Sequence, residues 1–429
     1  MKSLKGKKLL ILAGAAVHCK VVQAAKDLGV YTIVTDYLDI EASPAKKMAD
    51  EGWMLNITDI DGIVQKCIEE KVDGVLNFCI DPAQRPYQEI CERLNLPCYG
   101  NKEQFFIMTD KPAFKQFCIN NGVDVIPNYT KEDVLSDNCE FPLFIKPTDS
   151  RGSRGQAVCF NKNDAEVAIK EAEKESSNGG VVIEKYMSDK QDFSMTYFVC
   201  DGKPYLIRTC DRYVGRLEDK LNKQCVGCIG PSKFTDLYIN KVHDKVVNLI
   251  NALGIKNGPI FMQGFVDGDT VRFYDPGLRF PGGEYEKLLK ESTGVDLMSA
   301  LVEFALTGSM TLPSGVDDVP YRLNGHYTIQ LPITARKGKI AVFEGMDKIA
   351  KNERVVSAFQ RYSVGETVPD TGDVRQRICE AALVIKDTES VSEYVSWVQL
   401  CLKVLDENGE NMLTSLVEPE KLNYFRKES

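Results

Sequence analysis

The stretch Phe141–Gly155, FPLFIKPTDSRGSRG, decides how the chain is read. An apolar run ends at Lys146, and small residues, two arginines and two glycines follow it. Glycine tolerates positive φ and close approach, so a hairpin tip carrying Gly152 and Gly155 can present several backbone N–H groups at once. Ser150 and Ser153 add hydroxyl donors, while Arg151 and Arg154 add charge. A lysine that closes an apolar strand is costly to bury unless an anion meets it. The set therefore suits closure over a polyphosphate, although the sequence contains no G-x-x-x-x-G-K-[ST] loop. Taken alone, a polar glycine turn between strands accounts for the same residues. The surroundings have to decide.

A chain of 429 residues, 43% hydrophobic and 27% charged, predicts two to four globular domains. A net charge of −9, spread without long blocks, predicts no nucleic-acid partner. The opening MKSLKGKKLLILAGAAV resembles an export signal only superficially. Its apolar run is short, and a buried first strand is the better reading. No stretch reaches the roughly 18 apolar residues of a membrane span, so neither membrane nor export is expected. The 14 scattered cysteines then read as reduced residues of a cytoplasmic protein. CVGC (Cys225 to Cys228) is a single C-x-x-C without a second pair, a poor basis for zinc. The three histidines, His18, His243 and His326, are far apart in sequence.

Along the first hundred residues strands and helices alternate. KLLILAG, YTIVTD, DGVLNF and LPCYG read as strands, with VVQAAKDLG, IDGIVQKCIEEKV and a segment around Ile90 to Leu94 as helices. Such alternation predicts a parallel sheet covered on both faces. Asp36 follows Gly14 at the distance seen in dinucleotide-binding folds, but AGAAVHC has one glycine where that fingerprint needs three. From Thr109 the texture changes. TDKPAFKQFCINNG reads as a helix with Pro112 in its first turn. FPLFIKP, QAVCF and GVVIEKYM read as strands around the charged helix NDAEVAIKEAEKES. Further strands run through FSMTYFVCDGKPYLIRTCDRYV. A helix at about 235–253 precedes the hairpin IFMQGFVDGDTVRFYDPGLRF, and another at about 295–307 ends at Gly308. Beyond LPSGVDDVP, HYTIQLPITARKGKIAVFEG reads as a hairpin turning at RKGK, and a helix follows near 389–395.

Two more stretches bear on chemistry. A strand ending in Glu184 and followed by an extended apolar segment can receive an adenine edge, with backbone groups of Lys185 and Met187 reading the ring and Asp192 near a ribose. An exposed Glu–Lys pair at a strand end explains those residues equally well. Gln263 and Asp275 fall on the two arms of one hairpin, and such oxygen donors suit Mg2+. Arg279, four residues beyond Asp275, could hold a phosphoryl group or a carboxylate. Polar capping of a hairpin is the plain alternative.

Order separates these readings. Lys111 on a helix, Lys146 before a glycine hairpin, EKYM, then a carboxylate hairpin ending in arginine resembles the ATP-grasp superfamily over nearly the whole chain. The resemblance implies an α/β protein in three parts: a Rossmann-like domain over 1–108, an ATP-grasp domain of two α+β subdomains over 109–310 (its lid about 127–187), and a mixed α/β domain over 311–429 similar to that of biotin carboxylase-type members. It implies ATP with Mg2+ or Mn2+ as cofactors. Lys111 and Lys146 would contact the phosphates under the lid loop of Ser150, Gly152, Ser153 and Gly155. Glu184, Lys185, Tyr186 and Met187 would bind adenine and Asp192 the ribose. Gln263 and Asp275 would hold metal, and Arg279, with Lys146, would support phosphoryl transfer. The family's metal hairpin usually reads Glu-x-Asn-x-Arg, whereas here Asp275 is one methylene shorter and Gly277 has no side chain to offer. GLRFPGG places backbone at Gly282 close to a substrate, and Arg212 or Arg216 would hold a substrate carboxylate.

The activity implied is ligation: a small carboxylate activated as an acylphosphate and attacked by an amine, giving an amide or peptide bond. A bicarbonate-activating carboxylase or carbamoyl-phosphate-type enzyme, an ATP sensor without turnover, and a nicotinamide dehydrogenase are the alternatives. A homodimer is expected by analogy.

Overall fold

Leu9, Leu10, Ile11 and Leu12 are all fully buried, as a central parallel strand requires. In the computed structural model, which describes residues 4–147, 156–176, 179–187, 190–216, 223–317, 319–372 and 374–425, they belong to the strand Lys8–Leu12. That strand lies between Tyr31–Thr35 and Gly74–Leu76, and Glu51–Trp53 completes a four-stranded parallel sheet. The fourth strand is thus Glu51–Trp53 and not LPCYG, which carries no strand. Tyr99 in that stretch is buried in the core, stacked on Phe304 and tilted against Tyr87. At the other edge, a Cβ on Gly74 would lie 2.2 Å from Ala305 O, because the helix Met298–Thr307 packs directly on the strand.

A second, antiparallel sheet runs in the order Asn128–Tyr129, Val181–Lys185, Leu143–Pro147, Ala157–Cys159. The helix Lys162–Glu175 covers it with Ala165, Ala168, Ile169 and Ala172, spaced to share one helical face, against Leu143, Ile145 and Ile183. Asn161 caps that helix by accepting from Asp164 N. Glu184 stands opposite Phe144 and Lys146 opposite Val182, so the two lie on one face, two residues apart along the register.

The third sheet has nine strands. Asp192–Cys200 lies at its heart, flanked by Lys203–Arg216 and by Gly258–Asp267, which pairs onward with Thr270–Gly277. Alternation divides the central strand. Tyr197 points to the helices Thr235–Lys241 and His243–Leu253, bonding Tyr238 Oη at 3.0 Å and His243 Nδ1 at 2.6 Å. Thr209 on the next strand bonds Thr235 on the same side. Ser194, Thr196, Arg208, Cys210 and Arg212 therefore occupy the opposite face.

The sheet continues beyond the boundary expected at 310/311. Lys223–Gly230 pairs with His326–Ala335, which pairs with Arg377–Lys386. The second half of the expected RKGK hairpin, Gly338–Glu344, joins Thr367–Val368 and Lys403–Asp406 in a separate three-stranded sheet instead. His326–Ala335 already has neighbours on both edges, so its sequence successor has no edge to pair with. Among the described residues, no helix is long and apolar enough to cross a membrane.

Candidate functional site

The helix Lys111–Asn120 begins where Asp110 accepts from Ala113 N, with Pro112 in its first turn. Lys111 and Lys115, four residues apart, lie on one helical face. Lys111 Nζ stands 3.7 Å from Asp275 Oδ1. Lys115 reaches the lid sheet, donating to Asn128 Oδ1 at 2.7 Å and to Glu184 Oε1. Glu184 Oε2 accepts from Lys146 Nζ at 2.9 Å. Burial works against ionisation of Glu184, but Lys146 and Lys115 outweigh it and hold the carboxyl below its usual range. One carboxylate thus gathers two lysines from separate elements.

Asp275 stands opposite Gln263 in the hairpin register. Immediately beyond, Gly264 pairs with Phe273, so Tyr274 is an extra residue in its strand. The bulge turns Tyr274 onto the face carrying Asp275, and its hydroxyl donates to Gln263 Oε1 at 3.3 Å and Asp192 Oδ2 at 3.2 Å. Arg212 Nη1 donates to Asp192 Oδ2 at 2.7 Å and to Tyr274 Oη at 2.9 Å. Burial pushes the Asp275 carboxyl up against the pull of Lys111 and Arg279. Asp192, Arg212 and Tyr274 line a cavity of about 1020 Å3 with Lys190, Lys233 and Lys421.

Arg279 is held on three sides. Its Nε donates to Asp81 Oδ1 at 2.5 Å, Nη1 donates to Phe280 O at 2.8 Å, and the guanidinium lies 4.4 Å over the Phe261 ring. That stack explains Gly277: a Cβ there would come within 2.4 Å of Phe261 Cε1. The position that offers no metal ligand is the one that keeps the arginine shelf clear. Asp275 and Gln263 nevertheless fit Mg2+, which needs few protein oxygens when it shares nucleotide phosphates and keeps waters. Among the described residues, no group of three His, Cys, Asp or Glu side chains forms a separate metal cage.

The remaining candidates divide. Ser150, Gly152, Ser153 and Gly155 lie outside the described residues, as does the side chain of Arg216. Lys185 N donates to Pro127 O and Tyr186 N to Pro142 O, so neither N–H is offered to an adenine ring. Lys185 Nζ is paired with Glu140 at 2.5 Å, and the Met187 side chain is buried. Arg212 lines the cavity with its Nη1 on Asp192 and Tyr274. A Cβ at Gly282 would meet nothing within 4 Å, whereas one on Gly283, at φ +111, would strike Gln330 Nε2. Asp36 is sealed by Lys46 at 2.7 Å and by Ser43, and a Cβ on Gly14 would strike both Ser43 and Asp36. That closes the place where a dinucleotide ribose would sit.

Sequence reasoning missed Lys115, Tyr274 and Asp81. Lys115 carried a signal, its four-residue spacing from Lys111. Tyr274 depends on a bulge and Asp81 on a distant loop, and neither shows in local pattern. At CVGC a similar bulge brings Cys225 Sγ and Cys228 Sγ to 3.4 Å, although alternation alone would set them on opposite faces.

Residues 110–275 match the family described as carbamoyl-phosphate synthase L chain, ATP binding domain. The 2-oxoglutarate carboxylase small subunit of Hydrogenobacter thermophilus is 27% identical over 207 residues, 43% of this chain and 43% of that protein. The chain therefore matches less than half of that relative's length. Biotin carboxylase 1 of Bacillus subtilis is 25% identical over 340 residues, 73% of each chain. The L-amino acid ligase structure from Bacillus licheniformis superposes with a TM-score of 0.75 at 18% identity, covering 94% of this chain and 100% of that one. The fold, the order of elements and the family match over residues 110–275 support the ATP-grasp superfamily.

Proposed function

We propose that the protein is an ATP-dependent ligase that activates a small carboxylate and joins it to an amine. The observation carrying this reading is the unbroken line of contacts from Lys146 through Glu184 and Lys115 to the helix bearing Lys111, and on to Asp275. Three lysines, the acids Glu184 and Asp275 and the clamped Arg279 thereby surround one cleft. Lys111 and Lys146 bind the phosphates, Lys146 exchanging Glu184 for a phosphate oxygen. Asp192 would face the ribose. Asp275 and Gln263 would hold Mg2+, which when bound supplies neutralisation of phosphate charge. The carboxylate oxygen attacks the γ-phosphorus and ADP departs. The amine nitrogen then attacks the acyl carbon, phosphate leaves, and the proton shed by the nitrogen passes to solvent or to the departing phosphate. Arg279, fixed by Asp81 and Phe261, needs no reorganisation to meet charge developing on the transferred group. No protein nucleophile is required.

A second reading, activation of bicarbonate, is favoured by the carboxylase relatives. A phosphate-release screen with MgATP separates them. Release only with a paired carboxylate and amine supports the ligase, and release with bicarbonate alone moves the protein to the carboxylases. Tight ATP binding without release under any condition makes it a sensor and ends the ligase proposal. A homodimer belongs to the same proposal, and sedimentation showing only monomer at every concentration would remove it.

A further inference from the structure

The polar face of the central sheet extends past the metal pair. Register aligns Gln263, Ser194 and Cys210 across three strands, and beside them Phe261, Thr196 and Arg208. The second row begins under Arg279, stacked on Phe261, and ends two strands away at Arg208. The two anchor points are thus separated by about 10 Å of sheet.

Arg208 differs from the cations that the acids of the cleft hold. Lys111, Lys115, Lys146, Arg212 and Arg279 each face a carboxylate. Arg208 makes no ion pair or hydrogen bond with any described residue, and its guanidinium lies 4.9 Å over the Tyr285 ring. Two acids lie on the neighbouring helix and its start: Glu286, whose Oε2 is held by Lys20 at 2.6 Å while its Oε1 has no hydrogen bond, and Glu284, held by Lys20 and by Lys287 at 2.8 Å. An arginine removed from much of its water without an anion is disfavoured. Around it stand further donors without partners. Ser194 Oγ, Thr196 Oγ1 and Tyr285 Oη are buried with no hydrogen bond, and Ser194 and Thr196 are 1% and 0% exposed. Buried polar groups left unpaired together on one face are rare in folded proteins. A cation with three hydroxyl donors matches a carboxylate, whose two oxygens can take a guanidinium fork and further hydrogen bonds.

We propose that Arg208, with Ser194 and Thr196, binds a second carboxylate of the substrate pair, one that does not react, while the reacting carboxyl lies toward Arg279. This rests on the ligase reading and adds to it a substrate class: acids or amines that carry an additional carboxylate, such as amino acids and dicarboxylates. The ring of Tyr285 orients the guanidinium, and Lys20 holds Glu286 through its Oε2.

The test compares wild type with Arg208→Gln and Arg208→Lys in the phosphate-release assay. Each active acid and amine is supplied with its second carboxylate intact or converted to the amide. Wild type is expected to prefer the free carboxylate. Arg208→Gln should raise KM for that substrate roughly 10- to 100-fold, abolish the preference over the amide, and leave KM for ATP unchanged. Arg208→Lys should recover part of the loss. Sensitivity to amidation of the phosphorylated partner places the anchor on that partner, and sensitivity on the amine side places it there. A preference undiminished in Arg208→Gln overturns the proposal. Should wild type release no phosphate with any pair, the ligase reading falls and binding decides about Arg208 independently. Calorimetric titration of the MgADP-loaded protein with glutarate should then show saturation in wild type, weakened as much in Arg208→Gln. Equal affinity in both, or no binding to either, refutes the anchor.

Discussion

Arg279 shows how one residue is prepared for work by groups distant in sequence. Its side chain is 7% exposed and meets Asp81, whose own side chain is 63% exposed. Asp81→Asn keeps the shape but removes the charge that orients the guanidinium. We expect kcat to fall about 10-fold with KM for ATP nearly constant, since a misaimed arginine costs transition-state stabilisation more than nucleotide binding. An unaltered kcat would show that Arg279 takes its position from Phe261 alone. Gly277→Ala approaches the same arginine from the other side. Its new Cβ would press on Phe261, so a loss of about 1–3 kcal/mol in stability is expected, together with a fall in kcat. Unchanged denaturant midpoint and turnover would remove the steric explanation for the missing ligand.

At the scale of the element, the strand Lys203–Arg216 has two chemically distinct faces. Arg208 and Arg212 look into the cleft, while Asp211 points the other way and accepts from Ser232 Oγ at 2.5 Å and from Lys233 N at 3.3 Å. Burial pushes the Asp211 carboxyl up from 3.8 to about 6, against those hydrogen bonds. The folded state therefore holds a proton more tightly than the unfolded chain. Its stabilising contribution is full below pH 3.8, declines as pH rises through about 6, and is flat above. Relative to Asp211→Asn, wild type should lose about 3 kcal/mol across that window, measured by denaturant melts at several pH values. A constant difference between the two proteins would mean that Asp211 titrates normally.

For the whole molecule, Glu184 is the joint. It ties the lid sheet to the helix Lys111–Asn120, and Lys111 ties that helix to the metal hairpin. A nucleotide bridging those lysines would stabilise all three elements together. MgATP at about 100 times its Kd should add about 2.7 kcal/mol of stability, seen as a rise in the thermal midpoint. ATP with a chelator should raise it less, because the phosphates would then lack the counter-charge shared by Asp275 and Gln263. Equal shifts with and without magnesium would separate this hairpin from metal binding.

What was legible without coordinates had local causes. Helix starts such as Asp110–Pro112, the alternation around Leu9 to Leu12 and the pairing of Gln263 with Asp275 follow from capping, burial period and hairpin length. The order of these pieces along the chain resembles that of the ATP-grasp superfamily. The tertiary structure alone decided the rest. Bulges at Tyr274 and in CVGC reverse the side-chain phase that a strand pattern predicts. The strand Gly338–Glu344 left its expected partner because both edges of His326–Ala335 were taken. Arg212 and Arg208, alike in sequence, parted company because Asp192 stands across from one and Thr196 across from the other. Sequence determines which groups a strand can present. Whether a charge is spent or left free depends on what the neighbouring strand brings within a few ångströms, and that is settled only when the sheet is assembled.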